Sequence, residues 1–268
     1  MTGAAGGIGA AMARILAKDG INLFLVDLSE KTLNDTKKSI SDQYPDIQIY
    51  VCCKDLCREE SANELFQAVK KKEINLEILI NNAGFGTLGF FSDTEWKREK
   101  GMIRLHIETV THLTKLFLPE MLSKGTGKIM NVASVAGFLP SPLMAVYNAS
   151  KAYVLSFSQA VANEIQDSGV TITVLCPGLT RTGFQKGVGV GNPGFTQNNF
   201  FSDSAENVAR LAIKKMFQGK VIVVPGVLNN LLLFIQRFLP RNEITRLVRR
   251  IQEKNRHFLS TTGRNKNE

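Results

Sequence analysis

At 268 residues and 44% hydrophobic, the chain has the size of one large α/β domain with a sizeable buried core. Its formal charge of +9 is concentrated in residues 237–268, where nine Lys/Arg face three Asp/Glu; no aromatic-studded basic stripe or metal-ligand spacing accompanies them, so neither a nucleic acid nor a metal is expected. Cys52, Cys53 and Cys57 crowd one another too closely to staple a domain, residues 1–20 lack signal-peptide order, and no run nears the roughly 20 apolar residues of a bilayer span, so a reducing, cytoplasmic setting is expected.

The chain opens on Thr2-Gly3-Ala4-Ala5-Gly6-Gly7-Ile8-Gly9, spaced TGxxxGxG. Ile8, Met12, Ile15 and Leu16 then recur at helical spacing and predict a helix over residues 7–19. Gly3, Gly7 and Gly9 let the backbone turn sharply and approach a pyrophosphate at the helix N-terminus, with Ile8 in the first turn. A plain tight turn is the alternative reading. A strand belongs in front of such a loop, buried at the centre of the sheet, and only Met1 stands there. The natural polypeptide is therefore expected to start upstream, with Met1 in that strand's last position.

Short apolar runs then alternate with longer amphipathic stretches. Strands are predicted at 22–27, 47–53, 76–81, 128–133, 171–176 and 221–225. Helices are predicted at 30–42, 58–72, within 94–122, at 145–167 and at 205–218. Repeated βαβ units of this kind make an α/β, Rossmann-like, doubly wound parallel sheet flanked by helices, here a single domain over residues 1–226 with its first strand missing. Residues 183–202 carry Phe184, Phe195, Phe200 and Phe201 and form either a substrate lid or an insertion. Residues 227–268 form a basic, amphipathic C-terminal extension. Its apolar faces pack on the domain itself, on a twin subunit, or on an anionic membrane surface.

Asp27 ends its strand where a carboxylate can accept hydrogen bonds from ribose hydroxyls and repel a 2′-phosphate, which favours NAD over NADP. Gly6 and Leu28 stand where an arginine or lysine would clamp that phosphate. Helix capping is the alternative role for Asp27. Further on, Tyr147-Asn148-Ala149-Ser150-Lys151 sets a phenol and an ammonium four residues apart, on one face of a helix. A neighbouring cation favours the phenolate, so Tyr147 can exchange a proton with an alcohol or carbonyl oxygen. Ser134 lies thirteen residues earlier, at the carboxyl end of a strand, where a hydroxyl can hold that oxygen.

In these motifs the sequence resembles the short-chain dehydrogenase/reductase family from end to end, apart from the missing strand and the C-terminal region. The matches are the TGxxxGxG loop, Asp55, Asn81-Asn82-Ala83-Gly84, Ser134, the Tyr147/Lys151 pair, and Pro177-Gly178 with Thr182. The resemblance implies that Asp55 touches the adenine, that Asn82, Ala83 and Gly84 support the sheet and the adenosine side, and that Ser134 orients the substrate. It further implies Lys151 on the nicotinamide ribose, and Thr182 with the Pro177-Gly178 turn at the carboxamide. His106 departs from the family, which usually has an asparagine there serving a water-linked proton relay. It either bridges that water or simply fills the space. The expected function is NAD-dependent hydride transfer, with NADP as the alternative, to or from an apolar alcohol or ketone. Phe138 and Leu139 are candidates for the pocket, and assembly as a homodimer or homotetramer is expected. The competing reading is a catalytically weak dinucleotide-binding or scaffold protein on the same fold.

Overall fold

A computed structural model describes residues 1–184 and 202–264, with side chains through residue 253. In chain order, α1 (Gly7–Lys18), β1 (Leu23–Asp27), α2 (Glu30–Ser41), β2 (Ile49–Cys53), α3 (Ser61–Lys70) and β3 (Ile78–Asn81) make the first half. Next, α4 (Trp96–Ile103) continues through a π-helical turn (Arg104–Thr109) into α5 (Val110–Lys124). The second half holds β4 (Gly127–Val132), a 3₁₀ turn (Val135–Phe138), α6 (Ala145–Glu164) and β5 (Val170–Leu175). After a short parallel pair, β6 (Thr180–Arg181) with β7 (Asp203–Ser204), come α7 (Ala205–Phe217) and β8 (Ile222–Val223). The chain then runs through α8 (Val227–Ile235), a 3₁₀ turn (Gln236–Phe238) and α9 (Arg241–Arg264).

Local chemistry sets several of these boundaries. Ser29 and Ser204 cap α2 and α7 by accepting the N–H groups of Thr32 and Asn207. Gly125 ends α5 at φ 66°, a left-handed position that a Cβ would strain. The predicted strands and helices all appear, mostly shortened by one to three residues at their ends. Most of the 183–202 loop, residues 185–201, lies outside the described residues.

All strand pairs are parallel. β1 pairs with β2, and β3, β4, β5 and β8 form a four-stranded sheet in that order. Between β1 and β3 lie Met1 and Thr2, which link the two sheets. The Met1 carbonyl accepts the Val26 N–H at 2.9 Å, and the Thr2 N–H donates to the Ile80 carbonyl at 2.9 Å. Both faces of this assembly are covered. Along β1, Leu23 and Leu25 face a core shared with α1, α2 and α7, while Phe24 and Val26 face one shared with α3, α5 and α6. β3 and β4 alternate likewise, with Ile80 and Met130 on the first side and Leu79 and Ile129 on the second. Burial on two faces explains why these strands read as continuous apolar runs rather than as alternating ones. The carboxyl ends of the strands all point the same way, toward the Thr2–Gly9 loop, Ser134 and Pro177.

Candidate active site

The loop between Thr2 and α1 is held against the residues that follow β3. Asn82 Nδ2 donates to the carbonyls of Thr2 at 3.1 Å and Gly3 at 2.8 Å, while Thr2 Oγ1 accepts the N–H groups of Asn82 and Ala83. Gly3 and Gly7 take φ values of 62° and 51°. A Cβ on Gly7 would sit 3.1 Å from the Thr182 side chain, so Thr182 stands directly against the loop. No side chain caps α1, no acidic residue occupies its first turn, and the space beside Gly6 is open. Unsatisfied N–H groups, the positive end of a helix and a glycine backbone fit a dinucleotide pyrophosphate.

The tightest point is Gly9, where a Cβ would lie 2.0 Å from the Gly3 carbonyl oxygen and 2.6 Å from Asn82 Nδ2. Gly9→Ala is expected to cost about 1–3 kcal/mol of stability as the loop is pushed open, and to weaken dinucleotide binding with it. Thermal unfolding and fluorescence titration check both; an unchanged melting temperature would mean the loop relaxes freely.

Asp27 does not cap α2; Ser29 does. Its carboxylate instead accepts the Ala5 N–H at 2.8 Å through Oδ2 and the Leu28 N–H at 2.7 Å through Oδ1. That fixes the group beside the glycine loop while each oxygen keeps a second lone pair. Asp55 accepts the Cys57 N–H at 2.9 Å and so shapes the turn after β2.

Tyr147 and Lys151 share one face of α6, and both are buried, the ammonium lying 5.9 Å from the phenol ring centre. Lys151 Nζ donates to the Val132 carbonyl at 2.9 Å, and burial lowers its pKa from 10.5 to about 8. Burial raises the Tyr147 phenol to about 12, opposed by a hydrogen bond with Ser134. Ser134 begins the 3₁₀ turn after β4; its hydroxyl accepts the Ala136 N–H at 3.1 Å and donates to the Pro177 carbonyl at 3.3 Å. Phe184 closes over Tyr147, the ring centres 5.8 Å apart. Phe138 packs on the core formed by Val154, Leu155 and Cys176, and Leu139 offers its carbonyl to Asn148.

His106 sits in the π-helical turn, fully buried, 5.9 Å from the Tyr147 ring centre to centre. Ser150 Oγ donates to the Tyr147 carbonyl at 2.7 Å, so at 2.8 Å from His106 Nδ1 it accepts a proton. His106 Nε2 in turn accepts the Phe85 N–H at 3.3 Å. These partners define the neutral Nδ1–H tautomer. Burial, then the Lys151 charge, hold the imidazole pKa well below 6.5. Gly84 opens the space between this ring and the lysine: a Cβ there would lie 3.0 Å from Nε2 and 3.5 Å from Nζ.

Sequence reasoning assigned no role to several supports of this site. Asn148 Nδ2 donates to the carbonyls of Ala136 and Leu139 and so anchors the turn that carries Ser134. Beneath it, Asn81 donates to Asn131, which donates to Ser158, a buried chain that ties β3, β4 and α6. The available signal was polar residues at the ends of otherwise apolar strands.

The family described as short chain dehydrogenase matches residues 1–193. An uncharacterized oxidoreductase of Staphylococcus saprophyticus is 31% identical over 182 residues, 68% of this chain and 77% of that one. Hydroxysteroid dehydrogenase-like protein 1 of Gallus gallus is 32% identical over 224 residues, 82% of this chain and 65% of that protein. Very-long-chain 3-oxoacyl-CoA reductase of Anas platyrhynchos is 32% identical over 190 residues, 69% of this chain and 60% of its own. Among solved structures, a short-chain dehydrogenase from Sphingobium yanoikuyae in complex with NADPH superposes with a TM-score of 0.77 at 25% identity, covering 90% of this chain and 95% of that one. One from Burkholderia phymatum in complex with NAD has a TM-score of 0.77 at 24% identity, covering 88% of this chain and 91% of that one. The chain belongs to the short-chain dehydrogenase family and is an oxidoreductase.

Proposed function

We propose that the chain interconverts an apolar alcohol and its ketone with NAD(H), Tyr147 moving the proton. The observation that carries this reading is the cluster of buried Tyr147 and Lys151 with half-buried Ser134 at the carboxyl ends of the strands, with Thr182 against the glycine loop nearby. A nicotinamide bound there supplies the hydride acceptor or donor, and in its oxidised form adds positive charge near the phenol. The chain's own residues do the rest. Ser134 holds the substrate oxygen, Tyr147 gives or takes its proton, and Lys151 keeps positive charge beside the phenol. Asn82, Ala83, Gly84 and Asp55 shape the adenosine side, and the Pro177-Gly178 turn with Thr182 lies on the nicotinamide side. His106, neutral and doubly hydrogen-bonded, holds α6 and the Phe85 backbone in place.

Asp27 supports NAD over NADP, because its fixed carboxylate repels a 2′-phosphate and no arginine or lysine occupies position 6 or 28. Asp27→Ser is expected to weaken NADH about tenfold or more, since a hydrogen-bonding charge is lost, and to improve NADPH. Fluorescence titration of both nucleotides checks this; NADPH bound more tightly by the unsubstituted chain would reverse the assignment. An apolar substrate is supported by Phe184 over Tyr147 and by the relatives named for hydroxysteroids and very-long-chain 3-oxoacyl-CoA. A screen of steroid ketones and long-chain 3-oxoacyl thioesters against small polar ketones tests it. Turnover of the polar set alone would remove the apolar reading.

A further inference from the structure

We infer that α8 and α9 form a docking surface for an anionic lipid bilayer, on which the protein lies without crossing it. None of the nine residues of α8, Val-Leu-Asn-Asn-Leu-Leu-Leu-Phe-Ile, is buried. Val227 is 88% exposed, Phe234 56% and, in the 3₁₀ turn that follows, Phe238 73%. Leu231 on α8, and Leu247 and Ile251 on α9, each keep about half their surface in water. Phe234 and Phe238 pack edge to face, 5.3 Å apart, which joins α8 and its 3₁₀ turn into one apolar patch, and Leu247 and Ile251, four residues apart, add an exposed apolar stripe on α9. A contiguous apolar patch of this kind on a protein surface marks an interaction site rather than scattered surface residues.

Charge identifies the occupant. Arg246 pairs with Glu243 and Arg249 with Glu253, which consumes both acidic side chains of this region that the structure describes. Among the described residues, Arg237, Arg241 and Arg250 have no carboxylate partner. Apolar side chains beside uncompensated arginines complement acyl chains under anionic headgroups. A second copy of the same face, docked about a twofold axis, would bring these arginines toward their own equivalents. No helix among the described residues is long and apolar enough to cross a membrane, and α8 is less than half the roughly 20 residues a span requires. The surface is also anchored beside the catalytic elements. Asn229 of α8 packs against Gly178, and Gln252 of α9 reaches the Met144 sulfur at the start of α6.

The test is co-sedimentation of the full chain with vesicles of phosphatidylcholine alone and of phosphatidylcholine with phosphatidylserine, at low and high salt. Binding to the anionic vesicles at low salt is expected, with little to the neutral ones and a marked loss at high salt. Arg241→Glu with Arg250→Glu is expected to weaken binding by about thirtyfold or more, at roughly fivefold per cation lost at an anionic surface. Leu231→Ser with Phe238→Ser should weaken it comparably. Circular dichroism and NADH titration of each variant show that the domain remains folded. No binding to anionic vesicles, or binding that both double variants leave intact, overturns the inference. So does a dimer that the apolar double variant dissociates while vesicles are ignored, which would assign the face to a second copy.

Discussion

Tyr147→Phe is expected to lower kcat about a thousandfold, within the range of roughly 10² to 10⁴ that a positioned acid or base contributes, while NADH affinity stays nearly constant. The substitution removes one oxygen and keeps the ring, which packs against His106 on one side and Phe184 on the other. Folding and the glycine loop are untouched by it. The direction of the reaction enters through the phenol's pKa. Burial raises it to about 12, so at neutral pH the phenol carries its proton and serves as an acid, as carbonyl reduction requires. Alcohol oxidation requires the phenolate, and its rate is expected to climb with pH where the reductive rate does not. Stopped-flow measurement in both directions checks this. Retention of more than about a tenth of kcat in the phenylalanine variant would move the proton to another group, because general acid–base catalysis rarely contributes so little. Unaltered NADH binding with no turnover in the unsubstituted chain, across the substrate screen, would favour the scaffold reading.

The same physics explains which parts of the molecule could be read in advance. Strands buried on both faces appear in sequence as compact apolar blocks, and the helices between them show their buried stripe at period 3.6, so the order of the main elements was visible from residue 7 onward. The Tyr147/Lys151 spacing was equally visible, since four residues on a helix fix a shared face whatever surrounds it. The environment of that pair was not. Its pKa values come from burial that Phe184, Val132 and the body of α6 create together, and no single segment encodes that. His106 illustrates the limit well. The π-helical turn interrupts one long apolar pattern without breaking it, and the ring's tautomer depends on Ser150, 44 residues away, and on Phe85 from the turn after β3. Asp27 reads in sequence either as a helix cap or as a cofactor ligand for a similar reason: only the fold shows that Ser29 caps α2 while Asp27 turns to the Ala5 and Leu28 N–H groups.

Lys151→Met is expected to make the unliganded protein more stable while abolishing most of its activity. The ammonium is almost fully buried, with the Val132 carbonyl as its hydrogen-bond acceptor and no carboxylate partner among the described residues. Its pKa falls from 10.5 to about 8 because burial penalises the charge. The folded chain therefore holds the proton less tightly than the unfolded chain does. The penalty is present in full below about pH 8 and is relieved as pH rises from there toward 10.5, the window in which this group makes stability increase with pH. Methionine fills similar volume without charge, and at pH 7 the gain is expected to be about 1–3 kcal/mol, as for other buried ions replaced by apolar side chains. Thermal unfolding of both proteins at pH 7 and at pH 9.5 should show a gap that narrows at the higher pH. Activity moves the opposite way, since the phenol loses the cation that favours its ionised form; a fall of about a hundredfold or more is expected. The pH profile separates charge from packing. In the unsubstituted enzyme, carbonyl reduction should decline above about pH 8 as Lys151 gives up its proton, and in the methionine variant that decline should vanish. A variant less stable at pH 7 would show that this lysine is held by more than one carbonyl, and that its charge is not the strain the site retains for catalysis.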